Sequence, residues 1–236
     1  MSPRREVIEG IFNNIARHYD ALNRILSLGL DTRWRRAAIR EVIAVQPKCV
    51  LDLAAGTGDM SATLLKRYSP QELQCADLSH EMLLRAQRKL TERAPRTQLT
   101  FTECAAEELP YADASFQAVM IGFGVRNFAD IPQAMREVQR VLTPQGRLIV
   151  LEFSMPRRGL FAWLYRFYIR IWLPLIGGLV SGSLRAYRYL PKSMETYAQT
   201  SPLPEALASA GLVVRTTRAL SGGAVLLTVA EKQNNA

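Results

Sequence analysis

Two glycines separated by one threonine, Gly56-Thr57-Gly58, close the apolar run Val50-Leu51-Asp52-Leu53-Ala54-Ala55 and are followed by Asp59. Glycine lacks a Cβ, so the backbone can turn sharply there and a ligand can come close. Thr57 and Asp59 then open a helix whose first N–H groups have no partner within it. A second apolar segment ends in Asp77, about 20 residues on, where a carboxylate suits a ribose diol. Strand, glycine turn, helix, strand and carboxylate make a nucleoside-binding arrangement. A dinucleotide fingerprint asks for a third glycine three positions after Gly58. Ser61 stands there instead, which disfavours a pyrophosphate ligand. For this stretch alone, a strand–turn–helix that binds nothing is the competing reading.

The elements that must position these residues alternate along the chain. Strands are expected at Cys49–Leu53, Leu73–Ala76, Leu99–Thr102, Phe116–Ile121 and Arg147–Phe153. Helices are expected at Met60–Tyr68, Met82–Arg93 with Ser79 and Glu81 as caps, and Ile131–Leu142 ending at Pro144-Gln145-Gly146. Pro202–Ala210 reads as a further helix. Leu212–Leu220 and Ala224–Glu231 read as an antiparallel pair joined through Ser221-Gly222-Gly223. Strands alternating with helices imply a parallel sheet covered on both faces. Its ligands bind at the C-terminal strand ends. Asp52, Gly56, Asp77, the Cys104–Glu107 turn and the Gly122–Asn127 loop should converge there. The economical reading is one domain over 1–236. It comprises a helical arm (1–45), a cofactor core (46–153), an apolar substrate- or membrane-facing insertion (154–200), and a C-terminal helix and strand pair (201–236).

The arm carries Val7, Ile8, Ile11, Phe12 and Ile15 at helical spacing. A second helix follows, bearing Trp34, Ile39 and Val42 with Arg33, Arg35, Arg36 and Arg40. Tyr19 and Asp20 fall between the helices, where functional residues often sit. A helix cap is an equal reading for Asp20, and His18 reads as a surface residue.

The chain has 236 residues, enough for one packed domain, with 48% hydrophobic and 22% charged residues. Its net charge of +9 favours anionic surfaces, and a generally basic protein is the plainer alternative. Three cysteines, Cys49, Cys75 and Cys104, form no C-x-x-C pair, which argues for a reducing compartment. His18 and His80 are far apart, so no metal site is expected. There is no signal-peptide core and no run of about 20 apolar residues. The expected location is cytoplasmic, with peripheral contact at the inner face of the cytoplasmic membrane. That contact is assigned to residues 160–182, where Trp163, Phe167, Tyr168 and Trp172 alternate with Arg166 and Arg170. An amphipathic helix of this kind lies naturally at a bilayer surface. The wall of an apolar tunnel and an ordinary packed helix stay open as alternatives. No stacking platform or separate module suggests nucleic acid, and a homo-oligomer stays open.

Leu51-Asp52-Leu53-Ala54-Ala55-Gly56-Thr57-Gly58-Asp59, with Asp77 ending the second strand, resembles the first motifs of class I S-adenosylmethionine-dependent methyltransferases. Further segments resemble the ubiquinone/menaquinone biosynthesis C-methyltransferases within that class. They are Phe12-Asn13-Asn14-Ile15-Ala16-x-x-Tyr19-Asp20-x-x-Asn23, Phe123-Gly124-Val125-Arg126-Asn127, Leu151-Glu152-Phe153-Ser154-x-Pro156 and Tyr187-Arg188-Tyr189-Leu190-Pro191-x-Ser193. They occur in the family's order and span nearly the whole chain.

The resemblance implies a Rossmann-like α/β fold with a mostly parallel seven-stranded sheet ending in an antiparallel hairpin. It implies S-adenosylmethionine as methyl donor, with no metal, and contacts at Thr57, at Asp77 with the ribose hydroxyls, and at Ala105 and Ala106 with adenine. Asn or Asp is usual where Ala105 stands, so the Ala106 N–H is left to read the ring. Gly122 replaces a serine found in some members, and Asp52, Gly56 and Gly58 complete the expected cradle. The implied reaction is C-methylation of a polyprenylated demethylmenaquinol. The benzoquinol precursor of ubiquinone, or both rings, is the alternative. A non-catalytic cofactor-binding subunit, a methyltransferase of RNA or another small molecule, and a nicotinamide-dependent oxidoreductase are the rivals.

Such a reaction needs a deprotonated quinol whose ring carbon is held in line with the methyl group. Alignment supplies about 7–11 kcal/mol in favourable intramolecular cases. Arg126 is the candidate to stabilise the quinol oxyanion, since an arginine stays protonated and is no free base; a structural salt bridge is the competing reading. Asn127 is the candidate to orient a water, and Tyr19 and Asp20 to close the site from the arm.

Overall fold

The computed structural model describes residues 10, 20, 23, 24, 27–94, 96–156, 159–172 and 184–233. Val7, Ile8, Ile11, Phe12 and Ile15 of the periodic stretch, His18, Tyr19 and residues 173–183 lie outside that set, as do Arg157 and Arg158.

Seven strands form one sheet in the order β3-β2-β1-β4-β5-β7-β6. They are β1 (Cys49–Leu53), β2 (Glu72–Asp77), β3 (Gln98–Glu103), β4 (Phe116–Gly122), β5 (Leu142–Phe153), β6 (Leu212–Leu220) and β7 (Val225–Lys232). The first five pair in parallel, and β7 runs antiparallel between β5 and β6. The chain moves outward from β1 to β3, then returns to lay β4 on the other side of β1. That reversal opens a crevice between the carboxyl ends of β1 and β4, where open α/β sheets take their ligands.

The helices are α1 (Asp31–Ile43), α2 (Asp59–Leu65), α3 (His80–Thr91), α4 (Ile131–Val141), α5 (Leu160–Phe167), α6 (Leu184–Thr200) and α7 (Leu203–Ser209). A single π turn, Tyr168–Trp172, continues α5. Side chains alternate across a strand, and the sheet buries an apolar cluster on each face. Leu51, Leu53, Val119, Ile121 and Val150 meet α4 and α7 on one side. Val50, Leu73, Met120 and Ile149 meet α1, α2 and α3 on the other. In α1 the buried face is Trp34, Ala38, Ile39 and Val42, one stripe at helical spacing. Fully burying a side chain such as Ile39 contributes about 1.5–3 kcal/mol.

The caps follow from local chemistry. Met82 N–H donates to Ser79 Oγ at 3.2 Å to start α3, as the sequence suggested. Gln133 N–H donates to Asp130 Oδ1 at 2.9 Å to start α4. One boundary differs. Pro144-Gln145-Gly146 was expected to separate a helix from a strand beginning at Arg147, yet β5 begins at Leu142. The turn is a bulge within the strand: Leu142 pairs with Phe116, Arg147 pairs with Ala118, and the residues between are looped out. Gln145, at φ +62°, makes the bend.

Candidate active site

The crevice is a cleft of about 740 Å³, open mouth included. One wall is the β1 turn with Ala54 and Gly56, the second is Asp77 to Ser79 after β2, the third is Cys104 to Glu107 after β3, and the fourth is Gly122 to Gly124 with Asn127 to Ala129 after β4; Thr57, Gly58 and Arg126 do not line it. The predicted residues Gly56, Asp77, Ala105, Ala106, Gly122 and Asn127 all line it.

Main-chain donors hold the β1 and β2 walls together. Gly56 N–H donates to Asp77 Oδ2 at 2.7 Å, and Ser79 N–H donates to Asp77 Oδ1 at 2.9 Å. Burial raises the Asp77 carboxyl above the ordinary range, and the N–H groups of Ser79, Gly56 and Leu78 pull it back. Gly56 sits at φ +55° with nothing within 4 Å of the place a Cβ would take. Glycine therefore leaves this wall flat for a ligand. Gly58, at φ +79°, begins α2, and a Cβ there would stand 2.9 Å from Leu90 Cδ1. Its role is the close approach of α2 to α3. A Cβ on Gly122 would stand 2.6 Å from Met60 Cγ. No hydrogen bond among the described residues takes up the Ala106 N–H.

Asp52 stands beneath the turn, outside the wall where the sequence placed it. It is fully buried, and its Oδ2 accepts from Ser61 N–H at 3.1 Å and Ser61 Oγ–H at 2.6 Å. Ser61, which replaces the third glycine of a dinucleotide fingerprint, is thus turned inward. Oδ1 has no partner among the described residues. Burial raises the Asp52 carboxyl to about 7, with Ser61 and then Arg35 opposing the rise.

The β3 loop is pinned to the start of α4. Glu107 Oε1 accepts from Ala129 N–H at 2.6 Å and Asp130 N–H at 3.0 Å. Arg140 reaches back to the carbonyls of Tyr111 and Leu109 at 2.7 and 2.9 Å.

The fourth wall is built on an ion pair. Arg126 is 5% exposed and Glu152 3%. Arg126 Nη1 donates to Glu152 Oε1 at 2.7 Å and to the Phe123 carbonyl. Glu152 also accepts from Arg126 N–H at 3.2 Å and Phe153 N–H at 2.8 Å. Arg126 Nε has no partner among the described residues. Phe123 is held at φ +62°, a conformation rare for a bulky residue. Its ring lies 4.4 Å from Phe153, and Trp34 meets both edge-on at 6.3 and 6.4 Å. Two guanidiniums flank this aromatic group: Arg35 lies 5.4 Å from the Phe123 centroid and Arg126 5.2 Å from that of Phe153. Such contacts contribute about 0.5–1 kcal/mol at exposed sites and more when desolvated.

The arm meets the core at the glycine turn. Thr57 Oγ1 donates to Asp20 Oδ1 at 2.5 Å. Lys89 Nζ donates to Asp20 Oδ2 at 2.5 Å, to Asp59 Oδ1 at 2.8 Å and to Thr57 Oγ1 at 3.2 Å. Arg35 reaches Asp59 at 3.4 Å from α1. Burial pushes the Asp59 carboxyl up, and Arg35 and Lys89 more than reverse this, leaving it below the usual range.

Sequence reasoning missed Lys89, and its partners lie too far along the chain for any local pattern to reveal it. Glu152 carried a signal: it is a lone carboxylate in the apolar run Leu148-Ile149-Val150-Leu151, and such a group needs a partner when buried.

The fold is shared with solved structures of low sequence similarity. An S-adenosylmethionine-dependent methyltransferase from Thermotoga maritima superposes with a TM-score of 0.61 at 16% identity, over 96% of this chain and 100% of that one. Sequence relatives are nearer. A demethylmenaquinone methyltransferase of Thermus thermophilus is 46% identical, covering 87% of this chain and 92% of its own. The ubiquinone/menaquinone biosynthesis C-methyltransferase UbiE of Syntrophotalea carbinolica is 42% identical, covering 92% and 90%. The description of one family matches residues 1–232, the cleft and its buttresses included. The chain belongs to the ubiE/COQ5 methyltransferase family.

Proposed function

We propose that this methyltransferase transfers the methyl group of S-adenosylmethionine to a ring carbon of a polyprenylated demethylmenaquinol, giving menaquinol. The observation that carries this reading is the match, over nearly the whole chain, to relatives named for that acceptor. The cleft is consistent with it, because the nucleoside-type wall and the rings of Phe123 and Phe128 line one space. The residues fit the donor: Asp77 for the ribose hydroxyls, the flat wall at Gly56, and the Ala106 N–H for the adenine ring. When bound, the donor supplies an electrophilic methyl group on a sulfonium.

The other wall serves the acceptor. Asn127 lines the cleft and orients a quinol hydroxyl or the water that takes its proton. Arg126 stands behind this wall rather than on it, paired with Glu152, and its buried Nε–H is the donor assigned to the quinol oxygen. A buried donor without an acceptor costs about 1–3 kcal/mol, and an oxyanion arriving beside it offsets that cost as charge develops. Phe123 and Phe128 line the cleft and keep water from the ring, with Phe153 and Trp34 packed against Phe123. Tyr19, outside the described residues, is assigned with Asp20 to the arm that closes over the cleft.

A long prenyl tail gives the exposed face of α5 a purpose. Leu160, Trp163, Leu164 and Phe167, then Ile171 and Trp172 after them, present apolar side chains to solvent, Trp163 at 62% exposure. No helix among the described residues is long and apolar enough to cross a membrane. This face rests on the bilayer surface, held by the basic charge of the chain, so that the ring is taken up while the tail stays in lipid. The relative named for both quinones favours a second reading, in which the benzoquinol precursor is also accepted.

The test is methyl transfer from labelled S-adenosylmethionine to reduced demethylmenaquinol and to the benzoquinol precursor, side by side, with the acceptors in anionic vesicles. Product from the naphthoquinol alone supports the first reading, and product from both supports the second. No product from either, with the donor still bound, overturns the quinone assignment.

A further inference from the structure

We propose that Lys89 is a cofactor-binding residue. Its ammonium takes the carboxylate at the amino-acid end of the donor, beside the Thr57 hydroxyl, where the Asp20 carboxylate lies in this structure. The inference rests on the S-adenosylmethionine reading of the cleft.

The geometry is that of a carboxylate site. One Asp20 oxygen accepts from Thr57 Oγ1 and the other from Lys89 Nζ, each at 2.5 Å. The two donors stand 3.2 Å apart, so a single carboxylate spans them. Thr57 directly follows Gly56, which lines the cleft. A ligand whose ribose meets Asp77 therefore has this pair of donors next to the same turn. The site does not depend on Asp20 for its shape: Asp59, in the first turn of α2, fixes Lys89 at 2.8 Å and is itself held by Arg35. Lys89 is mostly buried, at 18% side-chain exposure, whereas Asp20 is at 44%. The cation is thus the better-held member of the pair, and its carboxylate partner is the replaceable one.

A threonine hydroxyl has one proton to donate. Given to Asp20, it cannot also serve a second carboxylate, so Asp20 and the donor's amino-acid end compete for Thr57 and Lys89. Binding the donor displaces the Asp20 carboxylate from these two donors. Charge-assisted hydrogen bonds are the strong ones, so both the contact and the competition are large enough to measure.

Calorimetric titration of the full chain tests this with two probes. S-adenosylhomocysteine carries the amino-acid end and 5′-methylthioadenosine lacks it. Lys89→Met should weaken S-adenosylhomocysteine by about tenfold or more, on the scale of one charged contact, and leave methylthioadenosine unchanged. Asp20→Asn should tighten S-adenosylhomocysteine several-fold and again leave methylthioadenosine unchanged. Equal losses for both probes in Lys89→Met, no change in either variant, or weaker S-adenosylhomocysteine binding in Asp20→Asn would overturn the proposal. If Lys89→Met does not fold, the sign of the Asp20→Asn effect decides alone. A wild-type chain that binds neither probe overturns the cofactor reading itself. A wild-type chain that binds both, with Lys89→Met unaffected, overturns only the role of Lys89.

Discussion

The wall made by the ends of β1 and β2 is held by main chain: Gly56 and Ser79 give their N–H groups to Asp77, and glycine keeps the surface flat. The wall made by the ends of β4 and β5 is held by side chains. Glu152 grips Arg126 at both its amide and its guanidinium, and Arg126 in turn holds the strained carbonyl of Phe123. A backbone cradle tolerates changes in the side chains around it. A buried ion pair does not, because removing one charge strands the other. The half we assign to the nucleoside is therefore robust, and the half we assign to the acceptor is fragile.

The comparison is broken most severely at Glu152. Glu152→Leu leaves Arg126 charged and buried and deprives two N–H groups of their acceptor. Stability should fall by about 3–5 kcal/mol, read from urea midpoints, and methyl transfer should be lost. Adding Arg126→Leu should restore much of the stability without restoring turnover. Recovery of both would reduce the pair to packing.

A smaller effect is expected under the nucleoside wall, at Asp52. Its folded-state pKa of about 7 lies above the ordinary 3.8, so the folded protein binds this proton more tightly than the unfolded chain. Stability from this group is therefore full below about pH 4 and is lost as pH rises through 7. Asp52→Asn should gain on wild type by about 1–3 kcal/mol between pH 5 and pH 8. A stability difference that stays flat across this range would show that Asp52 is ionised in the fold.

The smallest effect belongs to the wall itself. Ala105→Asn supplies a side chain at the adenine end without altering the backbone cradle. It should tighten S-adenosylhomocysteine by about 0.5–1.5 kcal/mol and leave thermal stability unchanged. A loss of affinity would mean that the loop is already closed over the ring.

The nucleoside wall was legible in the sequence because its signals are local. A glycine turn, a helix cap such as Ser79 and alternating apolar strands are written within a few residues of where they act. The strand pair Leu212–Leu220 and Val225–Lys232 was read almost to its ends for the same reason. The start of β5 was misplaced because Pro144-Gln145-Gly146 has the composition of a turn whether the chain leaves the sheet or bulges within it. Arg126 was singled out as chemistry, but Glu152 was not seen as its partner. Lys89 and Asp20, 69 residues apart, and Trp34 with its indole N–H on Ser221 Oγ, 187 residues away, were beyond reach. Such pairings are created by topology, and no spacing announces them.

The position of β7 bears on how the molecule is made. It is the last strand of the sheet in chain order, yet it lies inside, between β5 and β6. On a ribosome, β5 emerges well before the strand that covers it, and until then its free edge is a template for pairing with another chain. Glu152, near the end of β5, pairs with Leu226 across that edge. Glu152 gains its neighbour across that edge only once synthesis has passed β7. The interval during which β5 is uncovered is the period in which a chaperone has most to protect.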